Sequence, residues 1–219
     1  MQNTKQILAF LQKEIKVECR VQYSFFGVLL YVASTTFMLY LAVNKPEKQV
    51  WIGLYWIILL FASVNAVAKS FLQENKGRML YYYTITSASN FIFAKLLFNA
   101  LLMIIISAIS WFLVQLLLGS PVQKPLLFIV VTLLGSISFG LLFTLLSAIA
   151  AKAQQNAALM AILGFPLMLP LLLVLIKISA IAISNNPTPF PLFLVGIVVG
   201  YTALISMLSY ILFPFIWKD

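Results

Sequence analysis

The sequence has 219 residues, 63% of them apolar and only 9% charged, with 14 Lys and Arg against 5 Asp and Glu, a net charge of +9 and no His. A water-soluble domain is nearer half apolar and a quarter charged, so this composition excludes a soluble enzyme, a disordered chain and a nucleic-acid-binding module. Cys19 is the only cysteine, so an intrachain disulfide and a thiolate metal cluster are excluded, and the missing His removes the usual haem axial ligand and general base.

In chain order, residues 1–20 carry Ile7, Leu8, Leu11 and Ile15 at helical spacing, with Lys5, Gln12, Lys13 and Lys16 largely elsewhere. This predicts an amphipathic helix at a membrane surface. No short apolar run with a small-residue cleavage site opens the sequence, so the first span is expected to be its own anchor. That span runs from about Val21 to Val43 and is broken by the charged segment around Pro46. The second runs from about Trp51 to Ala68 and is followed by the most polar stretch, Lys69 to Arg78, and the tyrosines Tyr81, Tyr82 and Tyr83.

A third span is expected from about Ala94 to Leu118, a turn at Gly119-Ser120-Pro121, and a fourth span from Leu126 to Ala150. After a short polar turn from Lys152 to Asn156, the fifth begins near Ala157, and Ile178 to Ile183 either extends it or folds back at the interface. The sixth covers about Leu192 to Ile216. The fold class is therefore an all-α integral membrane protein, one membrane domain over residues 1–219 with an N-terminal amphipathic helix and six spans. With the N-terminus inside, only Lys45, Lys48, Lys124 and Lys177 of the 14 basic residues fall outside, and Lys95 counts with the inner charges. The positive-inside rule then puts both termini in the cytoplasm.

Chemistry-bearing residues are sparse. Glu14, Glu18, Glu47, Glu74 and Asp219 all fall in predicted loops or ends, and no phosphate-cradling loop, nucleophile–base pair or acid cluster stands out. Work by this chain therefore draws its energy from a partner. The loop holding Phe71, Glu74, Lys76, Gly77 and Arg78 is the candidate grip for a cytoplasmic ATPase: Phe71 for apolar contact, the charged residues for ion pairs, and Gly77 for the turn back into the bilayer. The same loop also fits a plain solvated inner connection. Lys152, Gln154 and Asn156 form a second, smaller inner loop.

Pro166 and Pro170 lie four residues apart in the fifth span, which predicts a kink, used either as a hinge or as a fixed bend. Gly196 and Gly200 form a small-residue face in the sixth, for packing within the chain or for a dimer seam, and Ser136 with Gly140 repeats that spacing in the fourth. Trp51, Trp111 and Trp217 near span ends are expected as interfacial anchors.

Three stretches together carry a resemblance. They are Phe71-Leu-Gln-Glu-Asn-Lys-Gly77 leading through Tyr81–Tyr83 to Ala94-Lys95-Leu96; Ser138-Phe-Gly140 running into Lys152–Asn156; and Pro166-Leu-Met-Leu-Pro170. In these, and over nearly its whole length, the sequence resembles the CcmB family of haem exporter proteins, permeases with the type-2 ABC transporter membrane fold. The resemblance implies a homodimer in the bacterial inner membrane, joined by two copies of the ATPase CcmA and by CcmC and CcmD, that serves cytochrome c maturation by loading and releasing the haem chaperone CcmE. It implies a non-catalytic subunit with ATP on CcmA, haem handled by partner subunits and no cofactor of its own. By resemblance Glu74, Gly77 and Arg78 take the main coupling role. The alternatives are a generic type-2 permease exporting a lipid or other small molecule, and a membrane scaffold with no transport cycle.

Overall fold

The computed structural model describes residues 2–20, 23–43, 45–67, 69–72, 86–152, 157–185 and 189–218. These form helices α1 (Gln2–Arg20), α2 (Tyr23–Val43), α3 (Lys48–Val67), α4 (Lys69–Leu72), α5 (Ala88–Leu118), α6 (Pro125–Lys152), α7 (Ala157–Ile183) and α8 (Leu192–Lys218), with no strand among the described residues. Helices α2, α3, α5, α6, α7 and α8 each contain a stretch long and apolar enough to cross a membrane. In lipid every backbone polar group must be satisfied within the protein, and a helix does so within its own segment.

The spans start and stop where local chemistry allows. Helix α5 begins six residues before the expected Ala94, because the Ser87 side chain caps it by accepting from the Asn90 backbone N–H at 3.4 Å. Its far end closes on Gly119, whose φ of 77° favours glycine. Pro125 opens α6, at a position where a missing N–H costs nothing. Helix α7 runs unbroken through Ile178 to Ile183, so that segment extends the fifth span. One of the terminal carbonyls of α7, that of Ala182, accepts the backbone N–H groups of Gln123 and Lys124 at 3.2 and 2.9 Å.

Helix α6 is the centre of the bundle and touches α3, α4, α5, α7 and α8. Close approach comes from its small residues. A Cβ on Gly135 would sit 2.5 Å from the Trp56 ring of α3, and one on Gly140 would sit 3.0 Å from the Asn99 carbonyl of α5. Small residues at such points let helices pack by van der Waals contact, the main attraction available where lipid is as apolar as the side chains. Helices α2 and α8 lie at the periphery with most of their apolar surface outward.

Two expectations are corrected here and a third, the face of the N-terminal helix, is refined. Gly196 and Gly200 face outward, with no heavy atom within 4 Å of a Cβ at either position, so they pack nothing within this chain; Gly135 and Gly140 do that work instead. Trp51 is no interfacial anchor: it is 1% exposed, stacks on Tyr55 with ring centroids 5.7 Å apart and donates its indole N–H to the Gly119 carbonyl at 3.0 Å. Helix α1 turns Ile7, Phe10, Leu11 and Glu14 toward the bundle, while Leu8 and Ile15 lie exposed on a neighbouring flank.

Candidate functional site

The second span ends at Val67, and the short helix α4 carries the chain to Leu72, inside the polar stretch expected to form the loop between the second and third spans. What holds this root in place is a lysine inside the third span. Lys95 lies two turns into α5 and is 2% exposed. Its ammonium donates to the Ser70 carbonyl of α4 at 2.7 Å and stands 3.3 Å from a Glu14 carboxylate oxygen on α1. It also lies 5.2 Å from the centre of the Phe71 ring and 5.7 Å from that of Phe91. A buried ammonium is tolerated only where a counter-charge, hydrogen-bond acceptors and polarisable ring faces replace its water. All three are present.

One turn further along the same face of α5, the Asn99 amide donates to the Ser70 hydroxyl at 3.0 Å and to the Thr144 hydroxyl of α6 at 2.8 Å. The Thr144 hydroxyl in turn donates to the Gly140 carbonyl. The Phe71 backbone N–H is 3.4 Å from the Ser147 hydroxyl, again on α6. Gly140 is what brings α6 near enough for this, since its flank lies against the Asn99 and Ala100 backbone.

An aromatic cluster seals the junction. Phe71 packs on Phe91 of α5 and Phe213 of α8, with centroids 6.2 and 5.7 Å apart, and Phe91 meets Phe10 of α1 edge-on at 5.8 Å. The Asn90 amide donates to the Gln6 side chain at 2.9 Å, and Lys13 lies 2.9 Å from Glu14. Helices α5, α6 and α8 thus meet Ser70 and Phe71 of α4 directly, and α1 joins them through Lys95 and Phe91.

The expected site residues fare differently. Phe71 is 3% exposed and packed on three sides, so it cannot offer apolar contact to a partner; it anchors the loop instead. Glu74, Lys76, Gly77 and Arg78, and Gln154 and Asn156 of the second loop, lie outside the described residues. Lys152 is exposed at the last turn of α6. Pro166 and Pro170 lie within α7, which continues as α-helix through both, and they face outward. The inner side of that segment lies against α6, where a Cβ on Gly164 would come within 3.0 Å of Leu146. The Leu167 carbonyl between the prolines accepts the Tyr201 hydroxyl of α8, which ties this segment to the neighbouring span.

Sequence reasoning passed over Lys95, Asn99 and Glu14. Starting α5 at Ala94 puts Lys95 at a span end and counts it as an ordinary inner charge. The missed signal was Lys95 and Asn99 four residues apart in an otherwise apolar helix, since a polar or ionisable residue inside a span needs a partner and marks a working site by default. Among the described residues no group of three Cys, Asp or Glu side chains comes together as metal ligands would.

Six long apolar helices define a multi-pass membrane protein, with a polar junction where the second span ends. The family model described as CcmB protein matches residues 5–210, nearly the whole chain, and the chain belongs to the CcmB family. Members are permease components of the haem-exporting ABC system of cytochrome c maturation, and the chain is broadly non-catalytic in that sense. No curated protein matches it.

Proposed function

We propose that this chain is the permease lever of that system: closure of the ATPase CcmA pushes on the loop after the second span, and the spans move in response to release the haem chaperone CcmE. The observation that carries the reading is the anchoring of Ser70 and Phe71. Lys95, Asn99 and Ser147 tie the root of the loop to α5 and α6, so a push on the loop is delivered to the central helices rather than absorbed in a slack connection. The end of the bundle that holds Lys95 faces the cytoplasm with both termini, in the bacterial inner membrane. Glu74, Lys76, Gly77 and Arg78 meet the ATPase, with Lys152, Gln154 and Asn156 as a smaller second contact. CcmC and CcmD complete the assembly around a homodimer of this chain. Haem stays with the partner subunits, because a chain without His lacks the usual axial ligand.

Gly77→Pro and Glu74→Lys test this in membranes that contain the whole assembly. Both are expected to abolish ATP-dependent release of the haem chaperone while the protein still inserts and copurifies with its partners. Normal release and normal cytochrome c yield would refute the coupling role.

A further inference from the structure

The counter-charge of Lys95 comes from outside the six spans. Glu14 belongs to α1, is 8% exposed and sits 3.3 Å from the ammonium, which also donates to the Ser70 carbonyl at 2.7 Å. Lys95 therefore stands between two elements that neighbour each other in space through it, α1 on one side and the root of the loop on the other. Packing already holds α1 to α5, through Phe10 on Phe91 and Gln6 under Asn90. An apolar pair in place of Lys95 and Glu14 would hold α1 at least as firmly, because buried ions lose much of their attraction to desolvation. What the ions add is direction: one ammonium grips a carboxylate and a carbonyl on two different elements and fixes their relative position.

From this we infer that Lys95 is a positioning residue that clasps α1 to the root of the loop, so that α1 travels with the loop when the partner ATPase closes. The inference rests on the coupling role proposed above and adds a second element that the motion reaches. Cys19 gives a direct readout, because it is the only cysteine in the sequence and lies exposed in the last turn of α1.

The test labels Cys19 with a nitroxide in the intact assembly and compares its spectrum with and without ATP. In the unaltered chain, ATP is expected to change the mobility of the label. Lys95→Met combined with Glu14→Gln removes both charges and leaves neither unpaired; it is expected to cut that change at least fivefold and chaperone release at least tenfold. Lys95→Arg, which keeps the charge and the donors, is expected to recover at least half of the Cys19 response. Should the double variant fail to insert, Glu14→Gln alone carries the test, since it keeps Lys95 on Ser70 and is expected to lose the Cys19 response. A Cys19 response that survives in these variants, or that is missing from the unaltered chain while Gly77→Pro still abolishes release, overturns the clasp and leaves the coupling role standing. Normal release in Gly77→Pro overturns the coupling role, and the clasp with it.

Discussion

The two ends of the bundle are built on different chemistry. At the end holding Trp51, rings fill the space: Trp51 stacks on Tyr55, both meet Phe128 at 5.6 and 5.3 Å, and Trp111 meets Phe128 at 5.9 Å. Deeper in, Trp56 packs on Phe139 and donates its indole N–H to the Ser179 hydroxyl at 2.9 Å. The α5–α6 turn there is tied down by its two bonds to Ala182. At the other end, the rings of Phe71, Phe91, Phe213 and Phe10 are joined by an ion pair and hydrogen bonds, in which Lys95, Glu14, Asn99, Ser70 and Thr144 hold the elements by charge and dipole. Ring packing saturates by shape and has one good arrangement. Interhelical hydrogen bonds in a membrane protein contribute little net, about 0.6 kcal/mol on average, so one can be exchanged for another at small cost. Under the proposed coupling role, the tryptophan end is the pivot and the lysine end is where the push arrives.

The sharpest way to break this comparison is to damage the pivot. Trp56→Ala removes a fully buried indole and leaves a cavity between α3, α6 and α7, at an expected cost of about 3–5 kcal/mol. Loss of the monodisperse species on mild heating in detergent checks this. A variant as robust as the parent would show that the tryptophan end is not what holds the bundle.

A smaller and more selective effect is expected from two matched glycine substitutions. Gly135→Ala drives a methyl group into the Trp56 ring, which has nowhere to go, and is expected to cost about 1–3 kcal/mol. Gly196→Ala meets open space and is expected to stay within about 0.5 kcal/mol of the parent in the isolated chain. Reversible unfolding in mixed micelles measures both. If the two substitutions cost the same, the close approach of α3 and α6 through Gly135 is not the contact that matters. A loss of assembly on Gly196→Ala with unchanged stability of the single chain would instead mark the outward glycine face as a subunit contact.

Much of the architecture was legible in the sequence, and the failures share a cause. Six apolar runs with charged and proline-rich breaks give six spans, because burial of backbone in lipid leaves few other solutions. The start of α5 was missed by six residues, since Asn90 and Lys95 look like loop residues until their partners Gln6, Glu14 and Ser70, distant in sequence, are seen to satisfy them. The same distance effect hid the site: local pattern shows that Lys95 is polar, and only the packing of α1 against α5 shows that it is paired. Trp51 and Phe71 were assigned outward roles on composition near a span end. Both are drawn inside by neighbours on other helices, Tyr55 and Phe128 for one, Phe91 and Phe213 for the other. For Gly196 and Gly200 only the packing within the chain failed, because a spacing that permits close contact does not supply the facing helix.

The claim on which all of this depends is that nucleotide binding by the partner rearranges the spans through the anchored loop. Spin labels on Phe26→Cys of α2 and Ile162→Cys of α7, both exposed near the lysine end, in a Cys19→Ser background, report it in the intact assembly. The account predicts that ATP shifts the distance distribution between the labels and that Gly77→Pro abolishes the shift while ATP still binds. One and the same distribution with and without ATP in the unaltered loop would contradict it.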